Sequence, residues 1–246
     1  YMHAGTTDKG NDFLTKIAAD CDPRLKFSIW MPGDLMGAAN DKIFEYPGLD
    51  EGTNWLCQTG FQPKKTSNPY SKGAGDVSNH ISETGYIIFR YGEVLLNYAE
   101  AKYEVDGVVA TEQLNLLRKR VGMPDFEVNM QGDDPNLLDY GYPVSDELYE
   151  IRRERRIEMA FEGQRDEDLM RWAAHKLFQY KRPKGYPFLQ GEFPEYHPPV
   201  DENGLIDYWV RILPDGYKFR EKQDYLYSIP QDELTLNPNL KQNPGW

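Results

Sequence analysis

The stretch "EIRRERRIEMAFEGQRDEDLMRW" (Glu150–Trp172) is charged at more than half of its positions, contains no proline and has one glycine, Gly163. At 100° per residue, Leu148, Ile151, Ile157, Met159 and Phe161 spread over an arc of about 200°. Glu154, Arg155, Glu158 and Glu162 fall inside that arc, with the carboxylates spaced i, i+4, i+8. Two uses fit such an acid row. It could supply the carboxylate pair of a glycoside hydrolase, which must flank a scissile bond. Or it is a half-buried ion-pair layer in which Arg155 and neighbouring helices neutralise the acids, since a buried carboxylate demands a partner and Arg offers a planar fork. With so many arginines at hand, the structural use is the expected one. Arg152, Arg153 and Arg156 lie opposite the arc and are expected on a solvated or interface face.

Working outward, Ser145 is placed to cap this helix, with Glu147 and Glu150 near its positive end. Gly163 is expected to break it, and a further helix is expected over Asp166–Tyr180. Upstream, "YGEVLLNYAEAKYEV" (Tyr91–Val105) puts Tyr91, Val94, Leu95, Tyr98, Ala101 and Val105 on one broad face, a mostly buried helix. Asp106–Gly107 ends it. A partner follows over Thr111–Val121, with Thr111 as cap and Gly122 and Pro124 as stop. Two helical hairpins in 91–180 predict a mainly α fold of stacked, tetratricopeptide-like pairs, an α-α superhelix. A short helix is expected near Asp12–Ala19, a strand-like run after "DPRLKFSIW" (Asp22–Trp30), and a short β-hairpin turning at Asp215–Gly216.

Residues 31–84 are rich in Gly, Asn, Pro and aromatics, with no sustained period. Ordered loops of this length are usually functional. Trp30, Tyr46, Trp55, Phe61 and Tyr70 lie in or beside the segment. A flat ring can stack on the apolar C–H face of a sugar while Asn, Gln and Asp take the hydroxyls. Trp55, in "DEGTNWLCQTG" (Asp50–Gly60), is the leading candidate because Asn54 and Gln58 flank it. The competing use of each ring is packing the loop onto the helices.

The 246 residues carry a net charge of −12, which argues against nucleic acid and against anionic bilayers. No apolar run is long enough to span a membrane. There is no G-x-S-x-G, no Cys–His pairing at a catalytic spacing and no phosphate loop, and "KGAGD" (Lys72–Asp76) reads as a turn. His3, His80, His175 and His197 show no ligand spacing, so neither metal nor cofactor is expected. Cys21 and Cys57 make either a disulfide, in an oxidising compartment, or two free thiols. The opening "YMHAGTTDKG" reads as a segment of a longer protein, or of one trimmed at its front.

Five segments in order carry a family resemblance: "DPRL" (Asp22–Leu25), "FRYGEVLLNYAEAKYEVDG" (Phe89–Gly107), "LNLLRKRVGMP" (Leu114–Pro124), Glu150–Trp172, and the closing "YLYSIPQDELTLNPNLKQNPGW" (Tyr225–Trp246). Together they resemble the C-terminal half of SusD/RagB-family proteins, over roughly residues 20–246. The resemblance implies a cell-surface outer-membrane lipoprotein that binds a glycan, without catalysis, and caps a SusC-like TonB-dependent transporter. It implies tetratricopeptide-like pairs and a loop-rich ligand face. It makes 1–246 the C-terminal part, with 31–84 as the candidate ligand face and 91–180 as the helical core. The lipid anchor would lie on the N-terminal half, which is missing here and becomes an expected partner. Family ligand residues vary, so the ring candidates rest on location alone. The rivals are a glycoside hydrolase and a helical-repeat adaptor that binds protein and no sugar.

Overall fold

The structure, a computed structural model, describes residues 7–50, 56–72, 85 and 87–246. Its helical centre is α3 (Tyr91–Asp106), α4 (Thr111–Lys119) and α5 (Asp146–Glu158), preceded by α1 (Gly10–Asp20) and α2 (Leu25–Ser28) and followed by α6 (Arg165–Arg171) and α7 (Gln231–Leu236). The Ser145 hydroxyl accepts from the Leu148 amide at 3.2 Å and starts α5, with Asp146 and Glu147 in its first turn. Gly107, at φ 67°, returns its amide to the Tyr103 carbonyl and closes α3. At α4 the capping position is held by Ala110, without a side-chain bond, and Thr111 is the first helical residue.

Two helices are shorter than their periodicity predicts. α5 ends at Glu158 because Phe161 adopts a left-handed backbone, φ 62°, ahead of Gly163. The run expected to reach Tyr180 stops at Arg171, where Ala173 turns left-handed at φ 49°, and only a 3-10 turn at His175–Leu177 follows.

α3 packs against both α4 and α5. Leu95, Leu96 and Ala99 meet Leu114 and Leu117 from α4 and Ile151 from α5 in one buried cluster. A second core joins α1, through Phe13, Leu14 and Ile17, to Ile29, Leu49, Tyr186 and Ile206. This second core fastens the described parts of 31–72 to the rest of the molecule. Cys21 and Cys57 are free thiols.

The hairpin differs from expectation in place. Among the described residues the antiparallel hairpin is β1 (Leu35–Gly37) with β2 (Lys42–Ile43), inside the loop-rich segment. The chain around Asp215–Gly216 turns but does not pair with itself. Tyr217 exchanges backbone bonds with Tyr180 and Lys181 instead (2.7 and 2.9 Å). Asp207, at the start of the expected hairpin, is held by Arg182 and Lys184 (2.6 and 2.5 Å), which commits that end to a different neighbour. Asp22–Trp30 itself holds the single turn of α2 and an isolated bridge from Ile29 to Pro63, and β1 is the strand that follows it.

Candidate functional site

The acid row of α5 is buried and fully engaged. Glu154 accepts from Arg24 at 2.6 Å and from Arg118 at 2.9 Å. Glu158 accepts from Arg90, Arg120 and Arg24 at 2.7, 2.8 and 3.0 Å. Beyond the end of the helix, Glu162 takes Arg90 at 2.6 and 2.8 Å and is paired with Lys65. Burial pushes the Glu158 and Glu162 carboxyls up, but the hydrogen bonds from Arg90, joined by Arg24 at Glu158 and Lys65 at Glu162, outweigh it and hold both below the ordinary carboxylate range.

Arg155, expected among the partners, is not one of them. Arg155 turns away from the acid row and grips both oxygens of Asp168 at 2.8 Å, with Asn97 at 2.7 Å. The arginines that neutralise the row come from elsewhere: Arg24 from "DPRL", Arg90 from "FRYGEVLL", Arg118 and Arg120 from "LNLLRKRVGMP". The segments that read as separate motifs are therefore the two sides of one charged layer.

Arg152 corrects the expectation of a solvated face. It is buried, with its guanidinium 4.8 Å from the Trp172 ring centroid and 5.2 Å from that of Tyr140, and it faces Glu100 at 3.4 Å. Arg171 covers Trp172 at 4.8 Å, and the Trp172 indole donates to Glu100 at 2.5 Å. A guanidinium over an aromatic face is an attractive, low-water arrangement that a count of apolar positions cannot register. Arg153 is half-buried against Glu150 at 2.6 Å, and Arg156 is exposed.

The rings of the loop-rich segment have different fates. Trp30 is 6 % exposed, stacked at 17° on Phe44 with Lys64 over it, and so is not presented to solvent. Tyr46 is about half exposed and meets Phe193 edge-on. Phe61 is half-buried, edge-on to Phe13 and Tyr186. Tyr70 is 77 % exposed, on a turn fixed by the Asn68 side chain, which accepts from the Tyr70 amide at 3.0 Å. Trp55 lies outside the described residues. Trp30, Tyr46, Phe61 and Tyr70 form no ring pair with one another among the described residues, so the structure does not gather them into one platform.

Phe61 does border a cavity of about 410 Å³ between α1, α2 and α5. Phe13, Phe61 and Phe161 give it aromatic walls, and Asp134, Asn136 and Arg156 bring polar groups. A cleft of this size, mostly apolar with a few convergent polar groups, is a common form for a small-ligand site. Asp134 and Asn136 sit in a turn between α4 and α5 that carried no distinguishing sequence pattern, and only the folded chain brings them beside Phe61.

The comparisons with known proteins agree with this architecture. The SusD family profile, SusD_RagB, matches residues 2–246. SusD-like protein P2 of Formosa agariphila is 32 % identical over 184 residues, covering 72 % of this chain and 29 % of that protein. A SusD-like protein of Bacteroides fragilis superposes on the whole chain with a TM-score of 0.66 and 25 % identity, over 43 % of its own length. A SusD-like carbohydrate binding protein, also of Bacteroides fragilis, covers 96 % of the chain with a TM-score of 0.62 and 27 % identity, over 45 % of its length. The chain thus spans less than half the length of each of these relatives. With the family pattern running from end to end and four of the five motif segments joined in one ion-pair layer, the chain belongs to the SusD family.

Proposed function

We propose that this chain is part of a non-catalytic glycan-binding protein of the bacterial cell surface, which passes oligo- or polysaccharide to a SusC-like TonB-dependent transporter. The observation that carries the reading is the likeness over 96 % of the chain to a SusD-like carbohydrate binding protein. A binding role without bond cleavage is supported by the acid row. Glu154 and Glu158 are each 2 % exposed and saturated by guanidiniums, which leaves neither free to give or take a proton at a substrate. In this reading 91–180 is scaffold, 31–84 contributes to the ligand face, and 1–246 is the C-terminal part of the protein.

The remainder of the longer protein is the proposed neighbour of α3, whose Tyr91, Val94, Tyr98 and Val105 are exposed. That remainder would also carry the lipid anchor to the outer membrane. No helix among the described residues is long and apolar enough to cross a membrane.

The test uses the full-length protein. Isothermal titration against a panel of plant, algal and host glycans is expected to give saturable binding to one class, and a reducing-sugar assay on the same glycans is expected to stay at background. Release of reducing ends would make it a hydrolase. Absence of binding across the panel would favour the protein adaptor.

A further inference from the structure

A second cleft, of about 290 Å³, opens on the outer edge of the charged layer, between α2, the turn at Lys65–Thr66 and the end of α5. The charge of that layer does not balance. Arg24, Lys65, Arg90, Arg118 and Arg120 meet only Asp22, Glu154, Glu158 and Glu162 in the connected pairs. Among the described residues one cation is in surplus, in a chain whose net charge is −12. The surplus is most accessible at Arg120. Its side chain is 56 % exposed and reaches Glu158 through Nη2, a carboxylate that Arg24 and Arg90 already engage. Arg120 also lines the cleft.

The backbone of the same cleft is strained. Thr66 and Phe161 both line it, and both are left-handed, at φ 72° and 62°. Such angles are outliers for β-branched or bulky residues, and they persist where the surroundings fix them, often at ligand sites. Here Lys65 ties the two turns together, donating to the Glu158 and Ala160 carbonyls at 2.8 and 3.0 Å. Closing α5 does not require an aromatic side chain. Asn would take the same backbone with less strain and leave no apolar ring in water. Instead Phe161 stands 51 % exposed, and Phe27, 63 % exposed, lines the same cleft.

Exposed rings beside a guanidinium that is itself 56 % exposed suit a sugar that carries an oxyanion. The ring would lie on Phe161 or Phe27 and the anion would take the Arg120 fork, which matches a carboxylate or a sulfate ester. We propose that this cleft is a subsite for an acidic sugar residue, a uronate or a sulfated unit. The proposal rests on the glycan-binding reading and narrows it.

Calorimetry on the full-length protein tests it, with oligouronates and sulfated oligosaccharides each paired with the neutral oligosaccharide of the same linkage. One charged member is expected to bind about tenfold tighter than its neutral partner, the worth of one charge-assisted contact, and whether it is a uronate or a sulfate identifies the anion. The preference should shrink in about 0.5 M NaCl. Arg120→Gln is expected to abolish the preference, bringing the charged member to the affinity of its neutral partner, with the circular dichroism spectrum as it was. Phe161→Asn keeps the left-handed turn and should weaken the charged ligand by about fivefold, as expected for one ring contact; if it fails to fold, Arg120→Gln decides alone. Equal binding of charged and neutral members, or a preference that survives Arg120→Gln, overturns the subsite while the glycan-binding reading stands. No binding of either kind overturns both.

Discussion

α3 and α5 invert the usual relation between hydropathy and burial. α3 is the more apolar helix, yet the residues it buries are Leu95, Leu96, Ala99 and Glu100, while Tyr91, Val94, Tyr98 and Val105 stand exposed. α5 is the more charged helix, yet it buries Glu150, Arg152, Glu154, Arg155 and Glu158 along with Tyr149 and Ile151. The difference is supply of partners. Charges can leave water only where counter-charges and donors await them, because desolvation otherwise exceeds the Coulombic gain. α5 finds such groups on four other segments. The outer stripe of α3 needs only an apolar neighbour, and the described residues do not provide one.

The comparison breaks first at Glu158. Removing its carboxylate leaves Arg24, Arg90 and Arg120 converging with nothing between them. Loss of one partner from a buried pair costs about 3–5 kcal/mol. At about 2–4 °C per kcal/mol for a domain of this size, Glu158→Ala should lower the melting temperature of the full-length protein by roughly 6–20 °C in scanning calorimetry. Arg156→Ala, exposed on the same helix, should change stability by less than about 0.5 kcal/mol. Similar small effects at both positions would mean that the buried charge of α5 is incidental.

Acid should reach the same layer more gradually. Glu158 and Glu162 titrate below their ordinary 4.5 in the folded protein, and Asp207, held chiefly by Arg182, is lowered from 3.8 to about 2. The unfolded chain therefore binds more protons at low pH. The stabilisation is fully present above the unfolded values and is lost as pH falls through the folded ones. The melting temperature should fall first below pH 4.5 and again between 3.8 and about 2. Glu192, raised by burial, runs the other way and offsets part of the loss. In Glu158→Gln the first fall should be shallower; an unchanged pH profile would remove Glu158 from the account.

α3 offers the next test. An apolar stripe of this kind drives association when it lacks its neighbour. The chain by itself should scatter light as a dimer or larger species at tens of micromolar. Substituting Tyr91→Ser and Tyr98→Ser should restore a monomer at little cost to folding, since both rings are at least half exposed or close to it. Each ring contributes about 1–2 kcal/mol to such a contact. A monodisperse monomer without the substitutions would make the stripe ordinary surface.

What could be read from the letters was local. Ser145 at the start of α5, Gly107 at the end of α3 and the periodicity between them are matters of a few neighbouring residues. The partners of Glu154 and Glu158 were not legible, because Arg24 lies 130 and 134 positions away and Arg90 lies 68 from Glu158. The motif list contained those arginines, but nothing in a wheel says which arginine meets which acid. Arg152 was misplaced because a wheel ranks a guanidinium as polar, while Trp172 and Tyr140 receive it as a stacking partner. The turn at Asp215–Gly216 was visible and its pairing was not, since Tyr217 makes an isolated bridge to Gln179 rather than pairing within its own hairpin. In the loop-rich segment Trp30 and Tyr70 looked equivalent, and only the Phe44 ring, brought in by the hairpin of β1 and β2, separates them.

That separation makes the last and smallest prediction. Tyr70 contributes little to the fold: its ring is 77 % exposed, and Asn68 fixes its backbone rather than its side chain. Tyr70→Ala should leave the melting temperature within the range of an ordinary surface change, about 0.5 kcal/mol. If the ring is a sugar platform, the same substitution in the full-length protein should weaken glycan affinity by about fivefold to tenfold, the equivalent of about 1–1.4 kcal/mol. Trp55→Ala, in the same segment, is expected to cost about tenfold. Trp30→Ala should do the reverse, lowering stability while affinity measured well below the melting temperature stays intact, because its ring is packed on Phe44. If Tyr70→Ala and Trp55→Ala both leave affinity unchanged, the loop rings are not the platform. The cavity bordered by Phe61 and Asn136 would then be the place to substitute next, since it keeps an aromatic wall and the Asn136 amide within reach of one ring-sized ligand.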